Sequence, residues 1–245
     1  MPHHLPTPTS LARPVHTSPS IYAQSTTPNS SLANPAEEEA QKALDEGTSR
    51  LEAGDWEAAK EAYARSLTIH PSSTAHFNLG VVYFRLEDLP AAIKSFEASL
   101  ALSKEQNRLK SADSDAESST EEAKEFTDLG DADAHTNLAS CYILSQPPRP
   151  DLAVSHLQSA VQLSPTDGES WFNLGAVLEA CERLEESAKA YEKAQEQGVE
   201  RATENLRNVG GKILAARLGV GSGALPQEED TEVKDTKETT AAKAK

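Results

Sequence analysis

Three asparagines stand out as residues whose type and spacing could do chemistry. They are Asn78, Asn137 and Asn173, set in Phe77-Asn78-Leu79-Gly80, Thr136-Asn137-Leu138-Ala139 and Phe172-Asn173-Leu174-Gly175. A carboxamide donates and accepts at once, so a row of them could pair with both the N–H and C=O of an extended peptide. The remaining candidates do not suggest covalent chemistry. The sequence has no GxSxG, P-loop, strand-borne GxGxxG, HExxH or paired-cysteine metal signature. His70, His76, His135 and His156 are scattered, and read as packing or surface residues. Cys141 and Cys181 lie forty residues apart. That spacing argues against a disulfide framework or structural zinc and is compatible with a reducing compartment. Cys141 reads as a small core residue, and Cys181 as a thiol near a helix end with nothing to activate it. The expectation is a non-enzymatic protein with no cofactor, metal site or small-molecule substrate.

Charge narrows the partners. The 245 residues carry 39 acidic and 23 basic side chains, a net −16. Nucleic acid calls for a clustered basic surface, and anionic lipid is equally disfavoured. No run approaches 18 apolar residues, so no membrane span is expected. Composition breaks the chain into parts. Residues 1–35 hold no acid, one arginine (Arg13), three histidines and seven prolines. Residues 103–131 hold nine acidic and four basic side chains. Beyond Gly219 comes a polar, charged tail. All three have too few apolar residues to offset ordering entropy and are expected to be largely disordered.

The elements that must position the asparagines show a repeat. Ala58-Ala59-Lys60-Glu61-Ala62-Tyr63 aligns with Ala91-Ala92-Ile93-Lys94-Ser95-Phe96 at an offset of 33, and the three asparagine tetrapeptides align with one another. A helix–turn–helix unit is predicted four times. First helices fall at about 36–53, 73–86, 132–145 and 168–181, second helices at about 56–69, 89–102, 150–163 and 184–197. Small residues recur early in the second helix (Ala59, Ala92, Ala153, Ser187) and a large one follows four later (Tyr63, Phe96, Leu157, Tyr191). The small residues let paired helices cross closely, and the large ones fill the groove between ridges.

These positions make the chain resemble the tetratricopeptide repeat (TPR) family. Its Leu-small pair matches Leu79-Gly80, Leu138-Ala139 and Leu174-Gly175, with Glu46-Gly47 in the first unit. Its next aromatic is met by Tyr83 and Tyr142 but replaced by Arg50 and Leu178, and its closing proline by Pro71 and Pro165. The resemblance covers about 150 residues and implies an all-α TPR solenoid of four repeats over 36–218, with 103–131 looping out. Residues 199–218 are expected as a capping helix with Arg201, Glu204, Arg207, Lys212 and Arg217 outermost, kinked or broken at Gly210-Gly211.

In this family the first helices line a concave groove. The resemblance assigns to it Phe77, Asn78, Val81, Phe84 and Arg85, then Thr136, Asn137, Ser140, Ile143 and Leu144, then Phe172, Asn173, Ala176, Glu179 and Ala180. The first repeat offers Leu44, Thr48, Leu51 and Glu52. Asn78, Asn137 and Asn173 would form a peptide-holding ladder, or else bond within their own repeats. The basic residues of the family's carboxylate clamp are absent, which argues against a chaperone adaptor. Phe77, Phe84 and Phe172 favour an uncharged or amphipathic segment. The implied partner is another protein, bound through an extended or amphipathic peptide by a scaffold of the assembly or maturation kind; the alternative is a permanent structural subunit docking through its convex face or capping helix. The N-terminus resembles a mitochondrial presequence around Arg13-Pro14-Val15-His16-Thr17-Ser18, with cleavage near Tyr22-Ala23, or else is the tail of a cytoplasmic protein. Ser114, Ser118 and Ser119 each precede an acid by three positions, the pattern acidophilic kinases read.

Overall fold

Several helices begin on a side-chain cap that the sequence supplies. In the computed structural model, which describes residues 34–112 and 121–219 (side chains outside 110–129), α1 spans Pro35–Glu52 and α2 Trp56–Ile69. Then come α3 (Ser73–Arg85), α4 (Leu89–Ala112), α5 (Glu121–Leu144), α6 (Pro150–Leu163), α7 (Gly168–Ala180), α8 (Leu184–Glu196) and α9 (Ala202–Leu218). The Asn34, Asp55, Ser72 and Asp167 side chains accept from first-turn amides of α1, α2, α3 and α7. Such caps satisfy donors that the helix leaves orphaned. The turn after each of α1, α3 and α7 needs one left-handed residue. Gly54 supplies it with φ 78°, whereas Glu87 and Glu182 take φ 61° and 58°. No strand occurs among the described residues.

Packing follows the repeat. The helices pair as α1 with α2, α3 with α4, α5 with α6 and α7 with α8, and α9 lies on α8. One apolar core runs from Leu44 to Ala190 through Tyr63, Phe96, Leu138 and Leu157. A second joins Tyr191, Ala194, Val199, Ala202 and Val209, with Phe172, Leu206 and Ile213 against it. Small residues also link the two helices of a unit through hydroxyls. Ser66 Oγ donates to the Ala40 carbonyl and Ser99 Oγ to that of Ser73, each at 2.8 Å.

Two expectations are corrected. The stretch 103–131 is not loop throughout, because α4 continues to Ala112 and α5 starts at Glu121. Lys104, Glu105, Gln106, Arg108 and Leu109 are good helix formers, and extending an existing helix avoids a new nucleation cost. Ser103, buried, donates to Asp131 Oδ2 at 2.8 Å and ties the two extensions together at their base. Second, α9 runs unbroken through Gly210-Gly211. The polar face expected of α9 is exposed at Arg201, Glu204, Arg207, Lys212 and Arg217, and three of these cations also pair with acids of the preceding helices. Lys212 Nζ lies 2.7 Å from Glu179 Oε1, Arg201 pairs with Glu169, and Arg217 lies 3.9 Å from Glu185. Those charges face α7 and α8 because acidic side chains stand there. The presequence reading of the N-terminus, Ser114, Ser118, Ser119 and the tail after Gly219 fall outside the described residues.

Candidate functional site: the face of the first helices

Neighbouring odd-numbered helices are aligned by side chains 32–34 positions apart. Thr136 Oγ1 and Ser170 Oγ stand 3.0 Å apart across α5 and α7. Lys212 and Arg201 hold α9 beside α7. Ser170 Oγ donates onward to Asp167 Oδ2 at 2.5 Å. Burial and the Asp167 charge push the Asp133 carboxyl up to about 6. The face therefore carries one carboxyl that the fold prefers protonated.

The predicted groove residues separate by depth. Asn78 is 6% exposed, Asn173 5% and Val81 5%, so all three are buried, contrary to the expectation that they face solvent. Leu44 and Leu51 are buried too. Within the described residues, Asn173 Oδ1 is buried without a hydrogen-bond partner. Asn137 stays half-buried. Phe77 packs edge-on against Phe96, ring centroids 5.7 Å apart, and Phe84 lies against the same core. Phe172 lies 5.4 Å from the Tyr191 ring, with the Arg201 guanidinium 4.2 Å above it. Phe172 is thus covered by the start of the last helix, a contact no local pattern announces. Arg85 is exposed, its guanidinium 5.9 Å from the Trp56 ring.

What remains open is an apolar row at the C-terminal ends of the odd helices. Leu144 on α5 is 55% exposed and Leu214 on α9 53%, and Ala180 on α7 is exposed between them in the repeat register. Leu218, one turn after Leu214, is also exposed. Ile143 and Ile213 flank the row, half-buried. Leu144 and Ala180 were among the groove positions read from the register. Leu214 and Leu218 were missed, although Leu214 falls 34 residues after Ala180.

The other titratable groups serve packing. His135 Nδ1 and His156 Nδ1 lie 2.8 Å apart, so one ring donates and the other accepts. Burial, then the neighbouring His156, lowers His135 to about 4. His156 stacks on Tyr142, whose hydroxyl donates to Glu97 Oε1 at 3.1 Å. Burial pushes the Cys141 thiol up to about 12, which leaves it inert at neutral pH. The described residues contain no group of three or more His, Cys, Asp or Glu side chains suited to a metal ion. None of their helices is long and apolar enough to cross a membrane.

A tetratricopeptide repeat family model matches residues 44–107 and 148–201. The chain belongs to the TPR superfamily. Solved TPR structures share its fold at low identity. A crystal structure of MamA protein is 19% identical with a TM-score of 0.54, over 75% of this chain and 84% of that one. The crystal structure of YrrB, described as a TPR protein with an unusual peptide-binding site, is 20% identical with a TM-score of 0.51, over 72% and 76%. A chain of the APC/C hetero-tetramer Cut9-Hcn1 is 18% identical with a TM-score of 0.54, over 69% of this chain but 29% of that one. No curated protein matches the sequence.

Proposed function

We propose that this TPR chain is a non-catalytic scaffold that takes an extended or amphipathic peptide segment of another protein along the face of α3, α5, α7 and α9. The observation that carries this reading is the open apolar row of Leu144, Ala180 and Leu214, with half-buried Asn137 two turns before Leu144 on the same face of α5. Apolar anchors at repeat spacing, with an amide two turns away on the same helix face, suit a peptide that offers side chains to the row and backbone to the amide. TPR proteins are in general interaction scaffolds. The peptide-binding site named for YrrB adds support by analogy. Burial narrows the ladder of three asparagines to Asn137 as the accessible amide, with Asn78 and Asn173 as the packing behind it.

The test is to select peptides from a random displayed library on the full chain and map the bound peptide by amide hydrogen exchange. The reading expects new protection in the last turns of α5, α7 and α9. Protection confined to α2, α4, α6 and α8 would contradict it.

A further inference from the structure

We propose that the resting occupant of this row is the chain's own segment 220–230, with Val220 against Leu214, Leu225 seated on Ala180 between the two leucines, and Glu228-Glu229-Asp230 drawn toward Arg85. The inference rests on the groove reading above and adds what covers the groove when no partner is bound. Three observations carry it: where the segment starts, the order of the slots it meets, and the charge at the last of them.

The segment starts at the row. Helix α9 ends at Leu218, one turn after Leu214, and Gly219 is its left-handed cap with φ 67° and ψ 20°. The Gly219 N–H returns to the Ala215 and Ala216 carbonyls. A cap of this kind reverses the chain, and the residue after it commonly packs on side chains in the last turns of the helix. That residue is Val220, and the side chains at the matching positions are Leu214 and Ala215. Ala215 is buried and Leu214 is 53% exposed, so the open surface beside the exit is Leu214.

The slots come in an order that the segment repeats. Arg85, Leu144 and Ala180 each lie five residues after the small residue of their first helix (Gly80, Ala139, Gly175), and Leu214 follows Ala180 by 34. All four are exposed. From α9 toward α3 the row therefore reads Leu, Ala, Leu, Arg, with a hollow where small Ala180 stands between two leucines. Outward from Gly219 the segment offers Val220, then Leu225, then three acids. Packed helices lie about 8–10 Å apart, and the five residues from Val220 to Leu225 extend to about 16 Å. One step of the row is thus covered with slack. Gly221 and Gly223 admit backbone of either hand, so the chain can turn Leu225 to the side that Val220 faces.

Charge decides the far end. Arg85 forms no ion pair among the described residues and touches only the Trp56 ring, 5.9 Å from its guanidinium. Glu179, the acid beside Ala180, is already taken by Lys212 and the Tyr191 hydroxyl. Residues 220–227 carry no charge, so the apolar slots meet an uncharged run. Glu229 and Asp230 lie four and five residues past Leu225, about 13–16 Å along a path of roughly 16–20 Å to the α3 slot. They come within a Debye length of Arg85, about 8 Å at physiological salt. Glu52 holds the α1 slot, so the match stops at α3. Tethering gives the segment an effective concentration of order millimolar, so a weak contact suffices to keep the row covered. A partner peptide then binds by displacing it.

The experiment places a photoreactive benzoylphenylalanine at Leu225 of the full chain, irradiates it at low protein concentration and maps the adducts. Adducts within one molecule are expected in the last turns of α5, α7 and α9, at Leu144, Ala180 and Leu214. In the probe-bearing chain, Leu144→Lys/Leu214→Lys should lower that yield about tenfold. Arg85→Glu should lower it about two- to fivefold, and Glu192→Lys on α8 should leave it unchanged. All these positions are exposed, so the variants should keep their helicity, checked by circular dichroism. Leu144→Ser/Leu214→Ser gives the same reading if the lysines perturb folding. Adducts confined to the even-numbered helices, adducts only between molecules, or a yield unmoved by the leucine variants would overturn the proposal. The groove reading is judged separately, by the affinity of a library-selected peptide for a Leu225→Asp full chain. Tighter binding by several-fold supports displacement. Unchanged affinity, with the peptide still protecting α5, α7 and α9, overturns cis occupancy and leaves the groove reading intact. Adducts at the row with no selected peptide protecting it would support cis occupancy and sink the groove reading.

Discussion

Gly175 lies so close to Tyr191 that a Cβ on it would stand 2.7 Å from the ring. The same pairing recurs as Gly47 with Tyr63 at 2.6 Å and Gly80 with Phe96 at 2.8 Å. In the third unit the glycine becomes Ala139, and the ring opposite becomes Leu157. Glycine in these helices is thus a steric requirement of the aromatic, released where a leucine replaces the ring. Gly80→Ala should cost about 1–3 kcal/mol through overpacking, net of roughly 1 kcal/mol gained in helix propensity. Adding Phe96→Leu should cost less than the sum of the two single changes. Urea denaturation of the four-member cycle checks this, and strict additivity would refute it.

Tyr191 also fastens the last helix. Its hydroxyl accepts from Asn205 Nδ2 and donates to Glu179 Oε2, both at 3.0 Å, and its ring is fully buried. Tyr191→Phe leaves the ring packing and removes both bonds, at a net cost of about 1–2 kcal/mol. That corresponds to a fall in melting temperature of roughly 2–8 °C for a chain of this size. Amide exchange should accelerate most in α9; a uniform change across α1 to α9 would place the role of the hydroxyl elsewhere.

Asp133 and the histidine pair pull stability in opposite directions with pH. The Asp133 pKa rises from 3.8 to about 6, so between those values the folded state holds more protons than the unfolded one. Stability from this group then falls as pH rises through that window. Asp133→Asn should gain about 1–2 kcal/mol at pH 7, after allowance for its partial exposure. The gain should shrink toward zero near pH 4. Chemical denaturation of both proteins at pH 7 and pH 4 tests the sign.

His135 falls from 6.5 to about 4, so here the unfolded state holds the extra proton. Stability from His135 is full above about pH 6.5 and is lost as pH falls toward 4. Burial lowers His156 in the same direction. His135→Asn should flatten that acid limb by about 1–2 kcal/mol after screening. A steeper limb in the variant would show that the imidazole is better tolerated when charged.

The paired helices were legible because their determinants are local. Ala92 and Phe96, or Ala59 and Tyr63, sit one turn apart on a helix, and Pro71 and Pro165 close their units. The depth of the groove residues was not legible. It depends on how closely helices about 33–36 residues apart approach, and contacts such as Arg201 over Phe172 or Lys212 on Glu179 have no short-range signature. Asn78 and Asn173 were read as facing solvent and are buried for this reason. The run after Ser103 was misjudged differently. Its scarcity of apolar residues was read as disorder, while Lys104 to Leu109 are residues that prolong a helix already formed.

The account turns on the apolar row. The most direct measurement is the affinity of a library-selected peptide for the full chain and for Leu144→Lys, Leu214→Lys and Glu192→Lys. Leu144 and Leu214 are half-exposed and Glu192 is exposed on α8, so all three variants should fold. The account predicts a loss of about tenfold or more for each leucine substitution, about 1.4 kcal/mol, and none for Glu192→Lys. Equal affinity across the three, or loss with Glu192→Lys alone, would contradict it.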